Sequence, residues 1–188
     1  MAKKVQLEKF MGKSTLIVGG INTGKTRLSK MILDEFCAHS LGRSIAVIDM
    51  APEIPRETAL KRGLQGVGGT LIPPEEQGVL YLKAKIKPPR LSSKSEEQAI
   101  LIANENIPVI ERLFQIYMQS RRHILFINDI SLYLQAGSTA RMTNYLKKAQ
   151  TIVANGYLGD ELGKGPLSEK EAREMKALAK YFDAVIRL

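Results

Sequence analysis

The stretch Gly19-Gly-Ile-Asn-Thr-Gly-Lys-Thr26 matches the pattern G-x-x-x-x-G-K-T without a gap. Its glycines allow the backbone to bend so that several N–H groups converge on phosphate oxygens. In such a loop the ammonium group of Lys25 reaches the β- and γ-phosphates of a nucleotide, and the hydroxyl of Thr26 binds Mg²⁺. The stretch therefore predicts a binding site for a nucleoside triphosphate.

The residues on both sides of this loop fit that interpretation. Residues 14–18 form a short apolar, β-branched run, as expected of a buried strand. Residues 27–40 predict an amphipathic helix, because apolar side chains recur three and four positions apart. A strand, a glycine-rich turn and a helix N-terminus form an anion site, since the N–H groups and the helix dipole both face the phosphate.

On these residues the chain resembles the P-loop NTPase superfamily. The resemblance implies an α/β fold, a three-layer sandwich with a mostly parallel sheet, that binds ATP or GTP with Mg²⁺. It implies a catalytic role for Lys25 and a metal-binding role for Thr26. The nucleotide-binding residues that it implies are Gly19, Gly20, Ile21, Asn22, Thr23, Gly24, Lys25, Thr26 and Arg27.

Length and composition narrow the class of protein. A chain of 188 residues predicts one domain, spanning residues 1–188. The single cysteine, Cys37, excludes an internal disulfide framework. We expect a cytoplasmic protein without a membrane segment, because no apolar run has the length of a signal peptide or a membrane span. The net charge of +9 favours polyanionic partners such as nucleic acid.

Two further predicted strands end in a carboxylate. Residues 44–49 end at Asp49, and residues 124–129 end at Asp129. Strands that alternate with helices predict a parallel sheet covered on both faces, and ligands of such sheets bind at the carboxyl ends of the strands. We therefore expect both carboxylates to lie at the same edge of the sheet as the glycine-rich loop.

Both carboxylates are candidate catalytic and metal-binding residues. Asp129 has the strand-end position at which P-loop NTPases bind Mg²⁺, directly or through water, although Asn128 replaces the last apolar residue of the usual strand. If Asp129 binds the metal, Asp49 is free to act as a general base on an acceptor hydroxyl. If Asp49 binds the metal, Asp129 supports it from outside the coordination shell. The sequence leaves both assignments open.

Residues 79–87 alternate between apolar and polar side chains, which predicts a strand with one polar face. That face would carry Tyr81, Lys83, Lys85 and Lys87. A row of lysines suits a nucleic-acid backbone. The alternative is a solvated edge strand whose lysines prevent aggregation.

The remaining patterns complete the predicted fold. Residues 95–119 indicate a long helix that Pro108 should kink or divide, and residues 139–150 indicate a basic helix. The segment 155–157, after a fourth strand at 151–154, is interpreted as a turn, with stacking of Tyr157 on the nucleotide base as the alternative. Residues 168–171 have the pattern of a capping box that opens a last helix, which is followed by a short strand.

A narrower resemblance concerns the segment Ile48-Asp-Met-Ala-Pro52. It is similar to the Asp-x-Asp-Pro-Gly-Gln stretch of the RNA 5′-hydroxyl polynucleotide kinases, with matches at Asp49 and Pro52 and with Ala51 in place of the second aspartate. This resemblance implies transfer of the γ-phosphate of ATP to the 5′ end of RNA or DNA.

The sequence thus predicts Mg²⁺-dependent binding and hydrolysis of ATP or GTP. One alternative is a kinase that acts on a nucleic-acid 5′-hydroxyl or a small-molecule acceptor. Another is a nucleotide-binding regulatory module with little turnover. A protein partner or a homo-oligomer stays open.

Overall fold

The computed structural model describes residues 5–52, 69–159 and 161–188. Its strands are β1 (Ser14–Gly19), β2 (Ile45–Asp49), β3 (Leu80–Lys83), β4 (Ile124–Asn128), β5 (Thr151–Tyr157) and β6 (Ala184–Arg187). They form one sheet in the order β3-β2-β4-β5-β1-β6, and every neighbouring pair is parallel.

The helices are α1 (Lys25–Ala38), α2 (Pro89–Ser92), α3 (Glu96–Gln119), α4 (Ser131–Leu134), α5 (Thr139–Leu146) and α6 (Pro166–Ala179). Single 3-10 turns lie at Leu7–Lys9 and Gly42–Ser44. None of the helices in the described part of the chain is long and apolar enough to cross a bilayer.

Helices cover both faces of the sheet. On one face Ile17, Val47 and Phe126 pack against α1, where the rings of Phe36 and Phe126 meet edge to face at 5.6 Å. On the other face the neighbouring strand residues pack against α3, α5 and α6. The central strands are buried on both sides, which explains why they read as continuous apolar runs. The predicted α/β three-layer fold with a parallel sheet is confirmed.

The predicted strand 79–87 is wrong beyond Lys83, where β3 ends. Four residues beyond the end of β3, the side chain of Asn106 in α3 binds both backbone groups of Lys87. The Lys87 N–H donates to Asn106 Oδ1 at 3.2 Å, and Asn106 Nδ2 donates to the Lys87 carbonyl at 2.8 Å. The Ala84 N–H still donates to the Asp49 carbonyl of β2 at 2.8 Å, whereas the backbone at Lys87 is bound to a helix.

Other elements also differ from the sequence prediction, and the basic helix predicted over residues 139–150 ends at Leu146 as α5. Helix α3 continues through Pro108 without division, because this proline lies on the exposed side and the carbonyl that it leaves unpaired can be hydrated. Strand β5 continues to Tyr157, so residues 155–157 are strand and not a turn. Helix α6 begins at Pro166, a residue preorganised for the first helical position, so Ser168 lies within the helix.

Candidate functional site

The loop of residues 19–26 borders a cavity at the carboxyl ends of the central strands. The cavity encloses about 260 Å³. The loop bends through two left-handed residues, Asn22 with φ 56° and Gly24 with φ 92°, and Gly24 directly precedes α1. The lining residues are Ile21, Asn22, Thr23, Gly24, Lys25, Thr26, Arg27, Ala51, Gly69, Asn128, Asp129, Asn155, Tyr157 and Leu162.

Most residues predicted to bind the nucleotide therefore lie at this cavity. Residues 21–27 all line it. Gly19 is the last residue of β1, and Gly20 lies against the side chain of Glu161. The ammonium group of Lys25 donates to the Gly20 carbonyl. Burial lowers the pKa of Lys25, and the negative charges of Asp129 and Glu161 oppose this effect.

Asn128, at the end of β4, connects the loop to the other strand ends. Its Oδ1 accepts hydrogen bonds from Thr26 Oγ1 at 3.3 Å and from Asn155 Nδ2 at 2.9 Å. Its Nδ2 donates at 2.8 Å to both Asp49 Oδ1 and the Gly69 carbonyl. The sequence analysis treated Asn128 only as an imperfection in a strand. The signal for its role was a polar residue at the end of an otherwise apolar buried run.

Asp49 is fully buried and surrounded by donors. Oδ1 accepts from the Ala51 N–H at 3.1 Å, and it lies 3.4 Å from Lys83 Nζ. Oδ2 accepts from the Leu71 N–H at 2.8 Å and from the Tyr81 hydroxyl at 3.0 Å. Asp49 is not among the described residues that line the cavity. Its predicted metal or general-base role stays a prediction, and its two oxygens already serve a structural network.

Asp129 follows β4 directly and lines the cavity. Its backbone is left-handed, with φ 60°, and its N–H donates to Asn155 Oδ1 at 3.0 Å. Burial raises the pKa of Asp129, while the Ser131 hydroxyl, which donates to Oδ1 at 2.7 Å, and the Lys25 ammonium lower it. Of the two predicted carboxylates, Asp129 is therefore the one that lies at the cavity beside Lys25.

Glu161 lies beside the loop of residues 19–26, although it is not among the residues that line the cavity, and its position was not predicted from the sequence. Its carboxylate accepts hydrogen bonds from the Tyr157 hydroxyl at 2.9 Å and from the Ile21 N–H of the loop. Hydrogen bonds from its own N–H, Tyr157 and Ile21, together with the charge of Lys25, hold the pKa of Glu161 below its usual value. Only glycine leaves room for this carboxylate at Gly20 and Gly159, which were visible in the sequence.

The lysines predicted to form a row do not share one exposed face. Lys83 points inward, donates to the Ala51 carbonyl and pairs with Asp49. Lys85 and Lys87 are exposed but lie beyond the end of β3. The structural basis for the nucleic-acid partner is thus missing at these three residues, and that partner stays a prediction.

The donor set at the cavity fits Mg²⁺ bound together with a nucleotide. Among the described residues, no three His, Cys, Asp or Glu side chains form a cluster that could hold a metal ion by themselves. Thr26 and Asp129 offer a hydroxyl and a carboxylate at one cavity. Mg²⁺ commonly binds one or two protein oxygens and completes its shell with phosphates and water.

Comparisons with known proteins support the fold and leave the activity open. No protein-family model and no curated protein matches the sequence. Among solved structures, the chain is similar to the flagellar accessory protein FlaH from Methanocaldococcus jannaschii, with a TM-score of 0.52 and 12% sequence identity. The match covers 100% of this chain and 78% of FlaH. Together with the parallel sheet, this similarity shows the fold of a P-loop NTPase.

The first prediction is that substitutions at Asp49 and Asp129 have different effects on the free energy of unfolding. We expect Asp49→Asn to destabilise the folded chain by about 3–5 kcal/mol, because it turns an amide toward buried donors and leaves Lys83 without its counterion. Urea unfolding without nucleotide measures this change. A wild-type midpoint would contradict the structural role of Asp49.

Asp129→Asn is the matched variant for that experiment. Burial raises the pKa of Asp129, so ionising this carboxyl costs more free energy in the folded chain than in the unfolded chain. The folded chain is therefore most stable at low pH and loses stability as the pH rises through that pKa. We therefore expect Asp129→Asn to unfold at an equal or higher urea concentration than the wild type at neutral pH. The difference should vanish only when the pH falls below the ordinary pKa of an aspartic acid, because this carboxyl is then protonated in both the folded and the unfolded chain.

The second prediction concerns Glu161. We expect Glu161→Gln to bind ATP roughly 3–10-fold more tightly, because a carboxylate beside the loop repels phosphate. Titration with a fluorescent ATP analogue measures the affinity, and Glu169→Gln, an exposed position in the first turn of α6, is the control. Unchanged or weaker binding by Glu161→Gln would show that Glu161 does not compete with the nucleotide.

Proposed function

We propose that this chain is a Mg²⁺-dependent P-loop NTPase that binds and hydrolyses ATP or GTP. The observation that carries the proposal is the cavity at which residues 21–27, Lys25 among them, meet the carboxylate of Asp129. The proposal is supported by the G-x-x-x-x-G-K-T pattern and by the position of this loop at the edge of the sheet where such folds bind ligands.

The loop supplies the charge and the donors that a triphosphate requires. The N-terminus of α1 begins at Lys25, so its unpaired N–H groups and the helix dipole favour an anion there. The ammonium group of Lys25 now donates to the Gly20 carbonyl, from which it can turn to a phosphate oxygen. Its lowered pKa stays compatible with a positive charge, since Asp129 and the incoming phosphates both favour the protonated form.

Thr26 and Asp129 would hold the metal. Bound Mg²⁺ neutralises charge on the β- and γ-phosphates during phosphoryl transfer. The Thr26 hydroxyl is oriented by its hydrogen bond to Asn128, and the Asp129 carboxylate is oriented by Ser131. The chain thus contributes mainly positioning and electrostatic stabilisation to hydrolysis.

A second candidate is a nucleotide-binding module with little turnover. The observation that favours it is the hydrogen bond from Thr26 to Asn128. The amide of Asn128 is neutral, whereas a carboxylate at this position would add negative charge beside Thr26. The kinase alternative receives no such support. Asp49, on which that resemblance depends, uses both oxygens within the protein and does not line the cavity among the described residues.

The third prediction tests the binding site. We expect Lys25→Ala to weaken ATP binding about 100-fold, because it removes roughly 3 kcal/mol of charge-assisted hydrogen bonding. The fold should persist, as judged by circular dichroism and thermal unfolding. Lys30→Ala, on the same helix and paired only at the surface with Asp34, is the matched control. ATP binding of wild-type strength by folded Lys25→Ala would refute the phosphate-binding loop.

The fourth prediction tests turnover and separates the two candidates. Release of labelled phosphate from γ-labelled ATP and GTP is measured with Mg²⁺ and with EDTA. If the chain is an NTPase, Asp129→Asn should lower Mg²⁺-dependent release at least about tenfold while nucleotide affinity changes less, and Asp34→Asn should match the wild type. Tight binding without release by the wild type would favour the regulatory module. Label appearing on a 5′-hydroxyl oligonucleotide would instead identify the kinase.

A further inference from the structure

Helix α3 presents an apolar stripe on the side that faces away from the sheet. Leu101 is 63% exposed, Val109 is 38% exposed and Ile116 is 40% exposed. The inner side of the same helix is buried, with Ile110 and Phe114 in the core. The outer apolar residues are therefore not needed for packing α3 on the sheet.

Two opposite charges interrupt this stripe. Glu105 lies between Leu101 and Val109, and Arg112 lies between Val109 and Ile116. At 100° per residue, these side chains and Pro108 fall within an arc of about 100° on the helix surface. Within the described part of the chain, neither Glu105 nor Arg112 forms an ion pair or a side-chain hydrogen bond.

The stripe has the symmetry that a second copy of the chain requires. Its midpoint lies between Pro108 and Val109, and Glu105 and Arg112 stand about 5 Å on either side of that midpoint along the axis. Leu101 and Ile116 stand about 11 Å on either side. In an antiparallel pair related by a twofold axis at the midpoint, each glutamate would face the other copy's arginine, and each leucine would face the other copy's isoleucine.

We propose that two copies of this chain associate through α3 as an antiparallel, twofold-symmetric dimer. A twofold interface brings the same patch of both copies together, so every charge must meet its opposite at the symmetric position. The stripe on α3 meets this condition at Glu105 and Arg112. It also pairs apolar with apolar residues, at Leu101 with Ile116 and, beside the twofold axis, at Val109 with Val109 of the other copy.

The net charge of the chain favours association at this stripe over association at other surfaces. Two copies with a net charge of +9 repel each other over most arrangements. The stripe itself carries one negative and one positive side chain and is therefore neutral. None of the residues from α3 lines the described cavity, so the contact leaves the nucleotide site open. The dimer does not depend on the proposed activity.

One helix from each copy forms a small interface, at the lower end of the area of specific complexes. We expect a dissociation constant of about 10–100 μM, which is accessible to sedimentation equilibrium. The full chain is measured over a concentration range of roughly 5–500 μM, which brackets that constant.

The fifth prediction uses charge reversal within the stripe. Glu105→Arg and Arg112→Glu should each weaken dimerisation at least about tenfold, because each places like charges opposite one another twice in the dimer. The double variant E105R/R112E should restore the wild-type constant to within about threefold, since it exchanges the two signs without changing the pairing.

The two single variants also separate local pairing from overall repulsion. Glu105→Arg raises the net charge by two, and Arg112→Glu lowers it by two. Overall repulsion alone would make Arg112→Glu associate more tightly, whereas pairing across the twofold axis makes both variants weaker. Lys176→Glu, an exposed charge reversal on α6, is the control and should not weaken association.

Because the reversed residues are exposed, circular dichroism and thermal unfolding should show folded variants. Val109→Asp gives an independent variant at the apolar centre and should also weaken association at least about tenfold. A wild-type chain that stays monomeric throughout the range would overturn the proposal. So would a dimer insensitive to the single reversals, or a double variant that fails to recover.

Discussion

The hydrogen-bonded side chain of Asn128 is the constraint on which the arrangement of the site depends. Its amide donates to Asp49 and to the Gly69 carbonyl, so its oxygen must face Thr26 and Asn155. Buried polar groups are costly when unpaired, which makes one orientation of this amide far more stable than the reverse. The end of β4 thereby connects the loop after β1 to the ends of β2 and β5.

This connection explains why two similar carboxylates have different surroundings. Asp49 sits among five donors, one of them the ammonium group of Lys83, and its charge is compensated within the protein. Asp129 has fewer partners, and burial raises its pKa. A carboxylate of the second kind gains most from an added cation, since its charge is the less compensated. A further carboxylate, that of Glu161, lies beside the loop, where it accepts a hydrogen bond from Tyr157 and lies close to Gly20.

Helix α3 combines two roles on opposite sides. Its inner side buries Ile110, Phe114 and Tyr117 in the core. The side chain of the buried Asn106 binds the backbone of Lys87, beyond the end of β3. Its outer side carries apolar residues and balanced charges that the fold does not require. Packing and the proposed self-association thus use different residues of one helix, and neither side lines the cavity at the strand ends.

The sequence by itself determined the fold class and the position of the loop of residues 19–26 at the carboxyl ends of the strands. These features depend on local sequence patterns. Buried parallel strands consist of continuous apolar residues, and a tight phosphate-binding loop requires glycines at fixed positions. Only the tertiary structure decided how the polar residues at that edge are used. Asn128, Asp49 and Lys83 are far apart in the chain, and whether a carboxylate is compensated or a lysine points inward depends on partners brought together by strand order. The predicted row of lysines is absent for the same reason, since Lys83 pairs with Asp49 and Asn106 of α3 binds the backbone of Lys87.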